Sequence, residues 1–166
     1  MYGCTDENIV EALEELQKID LAAFHPLLLP MILAELERRR MIDKVRQSVG
    51  ELQTRVMKYG LQAGQQATDM NREDDKKTLS LWIQIHHMRN ELESWRKELL
   101  GLQVHAKELN EWNLLNCALK ERGDMIYERA EEMIREYEEN AGLCTIVLDG
   151  LALSTQFVSF LHSQTN

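Results

Sequence analysis

Ile85, Met88, Leu92, Trp95, Leu99, Leu102, Ala106 and Leu109 recur at alternating steps of three and four residues. An apolar seam of that period, held for more than three heptads, marks a long helix lying along a partner helix. From Thr78 to Asn110 such a helix would be a rod of roughly 50 Å, longer than most helices of compact domains. Arg89, Asn90, Glu91, Glu93, Lys97, Glu98 and Lys107 fall between the seam positions. They form a polar face that includes an i,i+4 pair, Glu93 with Lys97.

A second seam precedes it. Ile42, Val45, Val49, Leu52, Val56 and Tyr59 repeat the same alternation, within a helix expected over residues 30–59. Its early part should bury Met31, Ile32 and Leu36. Pro30 suits the first turn, where a missing N–H costs nothing, and the prolines bias His25 and Leu29 away from the helical region. Gly50 inside the seam costs about 1 kcal/mol against alanine, which the flanking heptads outweigh, and Gly60 is a natural C-terminal cap. Residues 60–78 are polar and read as a loop. Two seams on either side of one polar connection are best satisfied by an antiparallel hairpin, with the second helix over residues 79–110.

The remaining elements are a short amphipathic helix and a long last one. Residues 6–20 place Ile9, Val10, Leu13, Leu16 and Ile19 on one face, capped by Thr5 or Asp6. Around residues 110–122 the phase is lost, and Asn110, Asn113, Asn116 and Gly123 weaken helix propensity, so a break is expected there. A last helix over residues 124–158 carries a stripe of Ile126, Ala130, Met133, Tyr137, Ala141, Cys144, Leu148 and Leu151. Its outer face is acidic: Glu128, Glu131, Glu132, Glu136, Glu138 and Glu139. The expected fold is all-α, a long antiparallel hairpin or coiled-coil-like bundle with a short N-terminal and a long C-terminal helix, forming one domain over residues 1–166.

Composition narrows the function classes. A formal charge of -9 and a pI near 5.1 argue against nucleic acid or an anionic membrane as partner, since both need a basic footprint. Cys4, Cys117 and Cys144 are too far apart for a metal spacing and odd in number, which favours a reducing compartment. The N-terminus bears Asp6, Glu7 and Glu11 rather than a basic region before an apolar run. The apolar windows 21–34 and 143–153 are shorter than the roughly 20 residues a spanning helix needs. The chain is therefore expected to be soluble and cytoplasmic, and not itself inserted in a membrane.

No constellation points to catalysis. His86 and His87 are adjacent and point about 100° apart on a helix, so they do not chelate one ion easily. Neither the His-Glu-x-x-His nor the Glu-x-x-His spacing occurs, and the pair His105 and Glu108 has no matching second pair. Carboxylates spread along residues 128–139 do not converge as a hard cation requires. Arg38, Arg39 and Arg40 fan around a helix beside Glu35 and Glu37, so ion pairing is expected. Met31, Met41, Met88 and Met133 read as core filler. There is no Gly-rich phosphate loop and no nucleophile set. The reading is of a non-enzymatic chain with no catalytic, cofactor or metal residues.

Three stretches carry a resemblance. They are His25-Pro26-Leu27-Leu28-Leu29-Pro30-Met31-Ile32-Leu33-Ala34-Glu35-Leu36-Glu37-Arg38, then His87-Met88-Arg89-Asn90-Glu91-Leu92-Glu93-Ser94-Trp95, then Tyr137-Glu138-Glu139 with Cys144-Thr145-Ile146-Val147-Leu148-Asp149-Gly150-Leu151-Ala152-Leu153-Ser154-Thr155-Gln156. Over residues 24–156 the chain resembles the cytosolic helical region of uncharacterised filamentous-fungal proteins with a CorA-like, magnesium-transporter-like C-terminus. In that family the last stretch lies on a helix leading to two transmembrane helices. Here neither that membrane pair nor a Gly-Met-Asn motif follows Gln156, so no ion-conducting residue carries over. The resemblance implies a stalk without its pore, a truncated relative or fragment.

The terminal segment suggests how such a stalk works. Leu143, Ile146, Val147, Leu148, Leu151, Leu153, Phe157, Val158, Phe160 and Leu161 are more apolar positions than a single hairpin can cover, and large exposed apolar patches usually mark interaction surfaces. Residues 143–161 are expected to dock onto a second copy or a related membrane-anchored protein. The alternative is a divalent-cation-sensing regulatory domain using the acidic face at residues 128–139.

Overall fold

A computed structural model of the chain describes residues 10, 14, 25–62, 72–112 and 117–164, with side chains placed over 25–58, 75–112 and 117–156. The fold is all-α, and the described residues hold three long helices: α1, Leu28–Gln62; α2, Arg72–Trp112; and α3, Cys117–Gln164. Among the described residues there is no strand. The expected helix over residues 6–20 lies outside the described residues except for Val10 and Glu14, both helical and exposed.

Each helix is longer than its apolar pattern. α1 starts at Leu28 rather than Pro30, so Leu29 is helical although it precedes a proline, and it runs through Gly60 to Gln62 rather than stopping at Tyr59; α2 starts at Arg72 rather than Leu79. The interval 72–78 is polar because it lies beyond the seam, and polarity alone does not stop a helix that is already propagating. α3 begins at Cys117 rather than residue 124, so Gly123 lies within it. Of the break expected across 110–122, residues 110–112 and 117–122 are helical, and 113–116 lie outside the described residues.

Packing divides into two compact units. The first takes residues 28–40 of α1, 94–112 of α2 and 117–137 of α3. Its core includes Met31, Ala34, Leu99, Ala106, Ile126, Ala130, Met133 and Tyr137. Ile32 and Leu36 are only half-buried. Within this unit Glu35 pairs with Arg129 and Arg38 with Glu136. Both partners advance together, so α1 and α3 run parallel. Asn110 meets Asp124 while Gln103 meets Tyr127, the reversed order of an antiparallel α2–α3 hairpin.

The second unit takes residues 41–62 of α1, 72–93 of α2 and 138–164 of α3. Val45, Val49, Leu52, Leu81, Ile85, Met88, Leu92, Cys144 and Leu148 form its core. Gln84 Nε2 donates to Ser48 Oγ at 3.3 Å. The two residues lie at similar chain distances from Gln62 and Arg72, as they do in an antiparallel α1–α2 hairpin.

The seam on α2 is not uniformly buried. Ile85, Met88, Leu92, Leu99 and Ala106 are at most 1% exposed, whereas Trp95, Leu102 and Leu109 are half-buried. The half-buried three continue the column of Met88 at seven-residue steps. A straight helix drifts about 20° per heptad against a 3.5-residue repeat, so one column stays central while the other moves to the flank.

A histidine just before α1 serves its first turn. Leu28 N–H donates to the His25 carbonyl at 3.0 Å, and Leu27 N–H donates to His25 Nδ1 at 3.2 Å. The imidazole thus serves the first turn as a capping acceptor. It is fully buried, and burial pushes its pKa below the usual histidine range.

Candidate functional site

The acidic face of α3 is partly neutralised where α1 meets it. Glu35, 20% exposed at its side chain, receives Arg129 through both carboxylate oxygens at 2.8 and 2.9 Å, and Arg38 at 2.5 Å. Arg38 also reaches Glu136 at 2.5 Å, and Arg129 reaches Glu132 at 2.5 Å. Burial pushes the Glu35 pKa up, but hydrogen bonds from Arg38 and Arg129 outweigh it and hold the carboxyl below its usual value. Two of the carboxylates considered for a cation thus face guanidinium groups. Among the described residues no group of three or more His, Cys, Asp or Glu side chains converges as a metal site would.

Beneath this clasp lies Tyr137, fully buried, with its hydroxyl unpartnered among the described residues. Burial raises its pKa. Arg40 pairs with Glu37 at 2.6 Å and Arg39 lies 3.8 Å from Glu35, so all three consecutive arginines pair with α1 carboxylates. His105 lies 3.3 Å from Glu108 on an exposed surface. His86 stacks on Trp82, with ring centroids 5.8 Å apart and planes 11° from parallel, and His87 is exposed.

The apolar terminal segment splits into two faces. Val147, Leu148 and Leu151 are at most 9% exposed and join Ala141 and Cys144 in the core of the second unit. Burial pushes the Cys144 thiol up to about 11. Leu143, Ile146 and Leu153 point the other way, 44%, 66% and 66% exposed. With Gly150 they lie within an arc of about 80° at 100° per residue. Nothing lies within 4 Å of where a Gly150 side chain would begin, so the stripe has a notch at its middle. The side chains of Phe157, Phe160 and Leu161 lie outside the described residues.

A second exposed face went unread in the sequence. On α2, Leu79 is 58% and Ile83 44% exposed, beside the Trp82–His86 stack. The 79–83–86 spacing is a four-three step on the side away from the seam. It was hidden because the seam through Ile85 and Met88 is longer and purely apolar.

Among the described residues no helix is long and apolar enough to cross a membrane. Compared with protein-family models, with curated proteins and with solved structures, the chain matches none.

Proposed function

We propose that the chain is a non-enzymatic helical interaction module, placed in the cytoplasm, whose α3 face at Leu143, Ile146 and Leu153 docks onto another protein chain. That exposed stripe is the observation that supports the reading most directly, because soluble surfaces seldom align bulky aliphatic side chains without a partner. The resemblance to the stalk of fungal CorA-like membrane proteins fits the same role: a helical stalk without a pore of its own, pairing with a second copy or with a membrane-anchored relative.

Magnitudes set the strength expected. Covering what remains exposed of the three side chains offers roughly 3–5 kcal/mol, at about 1.5–3 kcal/mol per fully buried side chain. Association costs about 4–15 kcal/mol before any gain appears. The stripe is thus one part of a larger contact, and a micromolar complex is the natural expectation. Sedimentation velocity of the full chain at tens of micromolar tests self-association, against Ile146→Glu and Leu153→Glu. Point substitutions are preferable to deleting residues 143–166, because that deletion also removes core residues Cys144, Val147, Leu148 and Leu151. Wild-type chain that stays monomeric would count against the self-association form of the reading.

A further inference from the structure

His25 is a buried titratable side chain with a structural task. Its Nδ1 accepts the Leu27 N–H at 3.2 Å, and its carbonyl accepts the Leu28 N–H at 3.0 Å. With Nδ1 accepting, the neutral ring carries its proton on Nε2. That nitrogen is buried and has no hydrogen-bond partner among the described residues. A second proton would have to sit on Nδ1, where it would meet the Leu27 N–H donor to donor. The ring would then hold two N–H groups and a full charge at a fully buried site, with an acceptor for neither, which is costly. The surroundings supply no counter-charge. α1 has no charged residue before Glu35. The pairing of Glu35 with Arg129 and of Asn110 with Asp124 sets His25 at about the level of Glu111 on α2 and of Lys120, Glu121, Arg122 and Asp124 on α3. Both signs are present there, all but Arg122 are exposed, and burial alone accounts for the lowered pKa of the imidazole.

We propose that His25 is an acid-sensitive latch: on taking up a proton its imidazole leaves the first turn, and α1 opens from Leu28 to about Ala34 while the rest of the fold stays closed. Leu29 is helical although the proline after it disfavours that conformation, so the turn has a local cost that the histidine cap offsets. On the far side the opening is bounded by Glu35. Arg38 and Arg129 hold its carboxyl below the usual range, so the clasp stays ionised at pH 5 and pins α1 one residue beyond Ala34. What opens is the stretch that carries Leu28, Met31 and Ala34, each at most 8% exposed, beside Leu29 and Leu33, which are already 40% and 42% exposed. Acid thus converts a closed helix end into an exposed apolar one.

Hydrogen exchange followed by NMR on the full chain tests the latch. Protection factors at the amides of residues 27–34 should fall between pH 7.5 and pH 5 by up to about thirtyfold, the ratio of protonated to neutral imidazole at pH 5 for an accessible histidine of pKa about 6.5. Residues 126–134 of α3 should keep theirs. In His25→Asn the carboxamide oxygen supplies an acceptor that does not titrate, and the fall should vanish. Protection at residues 27–34 that holds down to pH 5 overturns the latch. A fall shared in step by residues 126–134 also overturns it, because the whole fold is then yielding. A His25→Asn chain that loses protection as wild type does overturns the role of His25. Should that variant fail to fold, the wild-type ring decides. Its nitrogen chemical shifts at pH 7.5 should report the Nε2–H tautomer, and the Nδ1–H tautomer overturns the cap and the latch with it.

Discussion

Gly123 and Asn110 show how one missing side chain can set the geometry of a helix pair. A Cβ on Gly123 would fall on the Asn110 carboxamide, whose Nδ2 donates to Asp124 Oδ1 at 2.7 Å. Gly123→Ala should therefore destabilise by about 1–3 kcal/mol, as overpacking does, despite alanine's better helix propensity. Gly50 has open space around it, so Gly50→Ala should stabilise by about 0.4–1 kcal/mol. Urea unfolding of the two variants checks the opposite signs. His25 adds a pH dependence. Its pKa is lowered by burial, so the unfolded chain takes up the proton first as pH falls. Its contribution is complete above the unfolded value of about 6.5 and is lost as pH falls through the lower folded value. The melting temperature should drop between pH 7.5 and pH 5, and His25→Asn, which keeps an acceptor, should flatten that drop. The sequence showed Gly123 and Asn110 only as weak helix formers, because a close approach across two helices leaves no trace in local propensity. His25 was read only as a residue displaced by proline.

At the level of elements, the α1–α3 clasp combines what was readable with what was not. Pairing of the three arginines with Glu35 and Glu37 follows from i,i+3 and i,i+4 spacing, and the structure has it. The contacts of Arg38 with Glu136 and of Arg129 with Glu35 join residues 98 and 94 positions apart, beyond any local rule. A double-mutant cycle on Glu35 and Arg129 should give a coupling of about 0.5–1 kcal/mol, reduced in 1 M salt, since the Arg129 side chain is 37% exposed and screened by solvent. With Glu132 and Glu136 facing arginine, millimolar magnesium should leave the melting temperature unchanged. A magnesium-dependent rise would favour the cation-sensing alternative. Burial along α3 from Ile126 to Leu151 follows the apolar stripe closely, because each of those positions is apolar and in phase. The ends of α1, α2 and α3 were less legible, since helices continue past the residues that need burial.

For the whole molecule, the all-α class and the antiparallel α1–α2 hairpin were legible in the two seams, while the α2–α3 hairpin and the division of packing into two units were not. That division depends on which residues of three helices meet, and a one-dimensional repeat does not encode it. The candidate surface was legible only as a surplus of apolar residues. The sequence could not separate Val147, Leu148 and Leu151, turned inward, from Leu143, Ile146 and Leu153, turned outward. If the outward face docks a second copy, the melting temperature should rise with protein concentration, as it must when partners bind only the folded state. Ile146→Glu should abolish that concentration dependence while leaving the dilute-limit melting temperature within a few degrees of wild type. Differential scanning calorimetry over a hundredfold range of concentration decides it.

The parallel course of α1 and α3 in the first unit has a consequence in time. Residues 28–40 are made well before their partners, since Arg129, which clasps Glu35, follows 94 residues later. At about 5–20 residues per second of synthesis, Met31 and Ala34 wait on the order of 5–20 seconds for the partners that cover them. In refolding from denaturant, the α2–α3 hairpin closes a far shorter loop and should form first, with the start of α1 docking last. Arg129→Met should then quicken unfolding and leave the refolding rate nearly unchanged, which stopped-flow chevrons would record. The start of α1 is thus placed by partners made long after it.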